Sequence, residues 1–120
     1  MHYKLALIGF GNVARSLARL LIRKQDLLKS QHDVTFSFTG IATGSHGFAV
    51  NPDGLDIQKA LDLVEGGQSI SSLSSMEVKD SLAVINNSQA DVMFENSPVN
   101  TQTGQPALDH IRKAFDLNMH

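Results

Sequence analysis

The apolar run Leu5-Ala6-Leu7-Ile8 leads without interruption into Gly9-Phe10-Gly11-Asn12-Val13-Ala14, and a long amphipathic stretch begins directly behind it. Such a chain leaves a buried strand, turns within a few residues and enters a helix. A side chain at position 9 would block the tight turn, and one at position 11 would hold the backbone away from a diphosphate. Ala14 is small enough for the helix to pack close to the strand. The first turn of the helix offers unpaired N–H groups, supplied by Asn12 and Val13, and a partial positive charge. Together these make an anion site without a basic side chain. The turn has the form that binds a dinucleotide.

The 120 residues suffice for one small domain. Ten Lys plus Arg against twelve Asp plus Glu gives no electrostatic case for a nucleic-acid or acidic-membrane partner. Cysteine is absent, which excludes a disulfide scaffold and thiolate metal ligands. His2, His32, His46, His110 and His120 show no metal-ligand spacing, so no metal site is expected. With no apolar run long enough to span a membrane and no signal-peptide pattern, a soluble, cytoplasmic protein is expected.

Tyr3 to Ile8 reads as a strand covered on both faces. From Asn12 to about Lys29, Val13, Leu17, Leu20, Leu21 and Leu28 follow helical spacing, while Arg15, Arg19 and Arg23 form a stripe that reads as a solvated face. Val34, Phe36 and Phe38 alternate with Thr35, Ser37 and Thr39, and Ile41-Ala42 continues this second strand to Thr43-Gly44-Ser45. Asn51-Pro52-Asp53-Gly54 is a turn before a helix over Leu55 to Glu65, capped by Asp53 or Asp56 and stopped by Gly66-Gly67. Gln68 to Ser75 reads as a surface connection. Ser74 and Glu77 fit a capping box for a helix carrying Val78, Leu82 and Ile85. Ala90 to Asn96 is the next strand, followed by the loop Ser97-Pro98-Val99-Asn100-Thr101. A final helix begins near Pro106, with Ala107, Leu108, Ile111, Ala114 and Phe115 toward the core.

The end of the second strand is where an acidic residue often meets the adenosine ribose of NAD. Thr43, Gly44, Ser45 and His46 stand there instead, so nothing repels a 2′-phosphate, yet no Arg or Lys is at hand to bind it. Ser45 or His46 is the candidate contact. NADP and NAD both remain open.

Three segments, in order along nearly the whole chain, resemble the homoserine dehydrogenases. They are the GxGxVG-like turn Gly9 to Ala14, a DGLD-like element at Asp53 to Asp56, and Glu95-Asn-Ser-Pro-Val-Asn-Thr-Gln-Thr-Gly-Gln-Pro-Ala107 against E-x-T-P-x-N-x-x-T-G-E-P-A. Ala14 for glycine and Ser97 for threonine are mild departures, while Gln105 removes a charge. The resemblance implies a doubly wound, mostly parallel α/β sheet of the Rossmann type, occupying residues 1–120 as a partial cofactor domain. It also implies an oxidoreductase that interconverts aspartate 4-semialdehyde and homoserine with NAD(P)H. By that analogy Gly9, Phe10, Gly11, Asn12, Val13 and Ala14 hold the diphosphate, Ser97, Pro98 and Asn100 line the nicotinamide side, and Thr43 and Ser45 meet the ribose. No residue matches a catalytic position of the family, whose active-site lysine turn and substrate domain lie beyond the matching segments. Exposed sheet edges favour a dimer or higher assembly. The alternative is a non-catalytic nucleotide-binding or interaction module of the same descent.

Overall fold

The computed structural model describes residues 1–97, 105 and 107–120, with Ala107 and Leu108 described in backbone only. Among the described residues, four strands and four α-helices follow in the order β1 (His2–Ile8), α1 (Asn12–His32), β2 (Thr35–Ala42), β3 (Phe48–Val50), α2 (Ile57–Glu65), α3 (Ser81–Asn87), β4 (Val92–Glu95) and α4 (Ala107–Asp116). The sheet order is β3-β2-β1-β4. β1 is parallel to both β2 and β4, and β3 runs antiparallel to β2. This is the mixed, mostly parallel α/β sheet expected, with β3 as an edge strand that the sequence reading did not foresee.

Side-chain alternation sends β1 to both faces, as a covered parallel strand requires. Leu5 and Leu7 join Ala14, Ala18, Phe38, Ile41 and Leu61 beneath α1 and α2. Ala6 and Ile8 join Ala42, Val50, Val84, Ile85 and Ala114 beneath α3 and α4. Phe38 and Ile41 share a face although they lie three positions apart, which strict alternation forbids. The register between β1 and β2 slips there, Leu5 pairing with Phe38 and Ala6 with Gly40, so Thr39 is an extra, bulged residue. The bulge turns Gly40 onto α3, where an added Cβ would stand 2.9 Å from both the Ser88 Cβ and the Val84 Cγ1. Small size at position 40 lets the short helix seat on the sheet.

The helices depart from the expected pattern in instructive ways. α1 runs to His32 and ends on Asp33, whose φ of 53° is left-handed. Val13 (72% exposed) and Leu20 face out, while Ala14 and Ala18 are buried, flanked by half-buried Leu17, Leu21 and Ile22. Close approach of helix to sheet selects small side chains for the central line of contact, so the apolar spacing pointed too far round the helix. The arginine stripe is a seam as well as a surface: Arg15 and Arg19 both pair with Glu65 at the end of α2. Asp56 caps α2, its carboxylate accepting from the Lys59 amide at 3.1 Å.

The capping box is corrected. Ser74 bonds to Val50 and the Met76 carbonyl, a 3₁₀ turn occupies Ser71–Leu73, and α3 begins at Ser81 behind Asp80, which accepts from the Ala83 amide at 2.7 Å. Removing this cap by Asp80→Ala lowers stability by about 1 kcal/mol. Glu77→Ala, at an exposed position, stays within about 0.5 kcal/mol of the parent. Urea unfolding of the two variants side by side checks the assignment. The connection over 68–75 is likewise not all surface, because Ile70 is fully buried in the core under α1 and α2. In α4, Phe115 (71%) and Ile111 are exposed rather than turned to the core, whereas His110 is buried.

Candidate functional site

Parallel strands deliver their carboxyl ends to one edge of the sheet, where Gly9 after β1, Thr43 after β2 and Ser97 after β4 converge beside the start of α1. A cleft of about 250 Å³ lies there, lined by Gly9, Ala42, Thr43, Gly44, Phe48, Ser81 and Ser97. The strand order places it where the chain leaves β1 for β2 on one side and has β4 on the other. Open α/β sheets take ligands at such a point.

The two glycines of the turn do different work. Gly9 has φ +90°, and its amide donates to the Ala42 carbonyl at 2.8 Å. A Cβ on it would fall 2.6 Å from the Asn96 carbonyl carbon and 2.8 Å from the Ser97 nitrogen. Glycine at 9 therefore lets the β1 and β4 ends close against each other. Gly11 is the N-cap of α1 at φ −80°, a backbone any residue adopts, and an added Cβ would meet nothing within 4 Å. The fold itself does not demand glycine at position 11. What the missing side chain leaves is open space in front of a helix end that no side chain caps and no acidic residue occupies.

Around that end, Phe10 buries its ring in the core and so presents only backbone. The Asn12 side chain accepts from Arg15 Nη2 at 2.7 Å, Val13 projects outward, and Ala14 is buried against the sheet. Thr43 lies in the cleft wall with its hydroxyl engaged, donating to the Gly47 carbonyl at 2.8 Å and accepting from the His46 amide at 2.7 Å. That arrangement folds residues 43–47 into a compact loop between β2 and β3. Ser45 is exposed beside His46, with its Oγ 3.1 Å from Nδ1. Ser97 joins Gly9 and Thr43 at the cleft, while Pro98 and Asn100 lie outside the described residues.

One feature of the site escaped sequence reading. Glu95, the last residue of β4, sends Oε2 to His110 Nδ1 of α4 at 2.6 Å, with side-chain exposures of 12% and 5%. Its other oxygen accepts from the Ser97 amide at 2.8 Å, and Ser97 Oγ stands 3.5 Å from the same ring nitrogen. α4 is thus tied through one carboxylate to the segment that meets Gly9. The signal available was weak: an acid fifteen residues before a histidine, across a loop. Among the described residues no cluster of three or more His, Cys, Asp or Glu could hold a metal ion, and no helix is long and apolar enough to cross a membrane.

No sequence-family model matches the chain. It is 35% identical over 115 residues to the homoserine dehydrogenase of Methanocaldococcus jannaschii, covering 95% of this chain and 34% of that protein. It is 32% identical over 120 residues to an NAD(+)-dependent homoserine dehydrogenase of Pseudomonas canavaninivorans, covering 98% and 34%. The crystal structure of homoserine dehydrogenase from Thermoplasma acidophilum superposes with a TM-score of 0.76 over all of this chain and 34% of its own, at 19% sequence identity, and so shares the fold. The chain spans about a third of the length of the curated relatives it matches. Along nearly its whole length, therefore, the chain is homologous to homoserine dehydrogenases, with the mostly parallel α/β fold of their N-terminal domain.

Proposed function

We propose that residues 1–120 form the dinucleotide-binding portion of a homoserine dehydrogenase, taking NADP or NAD at the carboxyl edge of the sheet. The observation that carries this reading is Gly11: a glycine unneeded by the fold, at an uncapped helix start, facing open space. The backbone of Gly9, Phe10, Gly11, Asn12 and Val13 would receive the diphosphate, with Ala14 holding the helix close to the strand. Ser97, with Pro98 and Asn100, would line the nicotinamide side. Thr43 would meet the ribose through the loop it stiffens, and Ser45 through an exposed hydroxyl. The loop after β2 carries neither an acid for a ribose diol nor an Arg or Lys for a 2′-phosphate, so both nucleotides fit this reading. The bound nucleotide would supply the hydride, and this chain's residues would hold and orient it; none of them is assigned a catalytic role. Reduction of aspartate 4-semialdehyde, in the branch toward threonine and methionine, is the reaction of the longer enzyme such a domain would serve.

Calorimetric titration of the chain with NAD and with NADP tests the reading. Saturable binding is expected in the parent, weakened at least about thirty-fold by Gly11→Val, whose side chain enters the space left for the diphosphate. The variant should unfold within about 1 kcal/mol of the parent in urea, because a Cβ at position 11 meets nothing within 4 Å. Binding unchanged in Gly11→Val, or absent from a folded parent, overturns the proposal.

A further inference from the structure

A groove of about 380 Å³, larger than the 250 Å³ cleft and sharing no residue with it, runs between α1 and α2. It is lined by Ser16, Arg19, Ile22, Arg23 and Gln58. Positions 16, 19 and 23 fall on one face of a helix, so a hydroxyl and two guanidinium groups stand in a row along α1. Half-buried Ile22 lies beside them, and Gln58 closes the groove from the first turn of α2.

Positive charge is concentrated here in a chain whose formal net charge is −2, because three of its four arginines belong to this stripe. Among the described residues Glu65 is the one carboxylate within ion-pair distance of them: Arg19 pairs with it directly, and Arg15 lies 3.9 Å away with its Nε buried and unpartnered. Arg19 engages Glu65 through Nη2, which leaves Nε and Nη1 for another acceptor. Arg23 is exposed and has no hydrogen bond or ion pair among the described residues. Neighbouring Asp26 and Asp62 are offset in charge by Lys24 and Lys59, so three guanidinium groups against one carboxylate leave two positive charges along the groove.

That excess selects the ligand. A carboxylate carries one charge and is satisfied by a single bidentate fork, whereas a phosphomonoester has three terminal oxygens and about −1.5 to −2 charges at neutral pH, enough for two forks. Planar, bidentate arginine suits such an oxyanion better than the point charge of lysine. The other groove residues suit what the phosphate is esterified to. Ser16 Oγ has no partner among the described residues, and Gln58, whose Nε2 donates to Asp62 Oδ1 at 3.2 Å, keeps its amide oxygen available. We propose that the groove binds a small, hydroxyl-bearing phosphomonoester, its phosphoryl oxygens held by Arg19 and Arg23, its hydroxyls by Ser16 and Gln58, and its carbon skeleton resting on Ile22. The groove's size is that of a small-molecule site. The proposal is independent of whether nucleotide binds at the sheet's carboxyl edge.

The test titrates the chain with glycerol 3-phosphate at constant ionic strength, with inorganic phosphate and sulfate as comparison arms. Nuclear magnetic resonance reads the side chains of Arg23 and Gln58 and, in the same spectra, the Gly11 amide at the helix start. The expected result is a saturable shift at Arg23 and Gln58, with the ester bound at least about threefold more tightly than inorganic phosphate, because only the ester reaches Gln58 and Ile22. Arg23→Gln should weaken the ester at least about tenfold, and Arg23→Lys, which keeps the charge but loses the fork, should weaken it less. Arg23 bonds to no described residue, so both variants should keep the parent's urea midpoint, which checks folding. Shifts that sulfate reproduces at equal ionic strength would mean a general ion atmosphere and overturn the proposal. So would shifts confined to Gly11, equal affinity for the ester and inorganic phosphate, or ester binding that Arg23→Gln leaves intact.

Discussion

Gly9→Ala is expected to cost about 3 kcal/mol of folding stability, while Gly11→Ala, two residues away in the same motif, costs nothing measurable. At position 9 two penalties add. An L-residue held at φ +90° bears about 1–2 kcal/mol of backbone strain, and its Cβ would overlap the Asn96 carbonyl and Ser97 nitrogen at 2.6–2.8 Å. The overlap is with backbone on β4's carboxyl end, which cannot rotate away, so relief requires the β1 and β4 ends to part at about 1–3 kcal/mol. At position 11 the backbone already suits alanine and the space is open, so the entropic gain in the unfolded chain offsets alanine's weaker preference for the N-cap, and Gly11→Ala stays within about 0.5 kcal/mol of the parent. Urea midpoints at unchanged m-values measure both. Equal losses at the two positions would show that the turn, rather than the contact with Asn96 and Ser97, sets the demand for glycine.

That contrast marks how far the sequence can be read. The motif's spacing located strand, turn and helix because those follow from local chemistry: a buried apolar run, residues without side chains, and a start signal. It could not divide the labour between the glycines, since what crowds Gly9 is a segment almost ninety residues later in the chain. The same limit explains the other departures. Thr39 fits the alternating pattern as well as any strand residue, and only pairing with β1 shows it to be the bulge that puts Phe38 and Ile41 on one face. β3 is three residues long, too short to show a period, and exists because β2 offers it an edge. Ser74 and Glu77 satisfy a capping pattern that Asp80 satisfies better, and Ser74 is drawn away by Val50.

Polarity misled most where partners are distant. A reading by hydropathy sends Phe115 inward and leaves His110 as an unremarkable histidine; the structure exposes the phenyl ring and buries the imidazole. The α4 face is chosen by what β4 carries. Glu95 ends that strand with its side chain in the interior, and burying a carboxylate requires donors, which His110 and the Ser97 amide supply. Once that pair is made, the helix cannot rotate to bury Phe115 without stranding the carboxylate.

Replacing His110 with leucine should therefore be severe, costing about 3–5 kcal/mol, because it leaves Glu95 buried with one of its two donors gone. Glu95→Gln should cost far less, about 1 kcal/mol, since an amide of the same shape still accepts from Ser97 and donates toward the ring. The decisive comparison is the double variant Glu95→Leu with His110→Leu. Two apolar side chains in that interior leave only the Ser97 amide to be satisfied, so the pair together should unfold at a higher urea midpoint than His110→Leu alone, with a coupling of at least about 1.5 kcal/mol in the double-mutant cycle. Additive losses would mean that each side chain packs independently and that the 2.6 Å contact organises nothing. A strong coupling would have a consequence at the cleft. Ser97 is held by Glu95 and abuts Gly9, so the carboxylate that orients α4 also fixes the spacing between the β1 turn and the end of β4. The site on the sheet's carboxyl edge is then shaped by a pair of residues that never enters it.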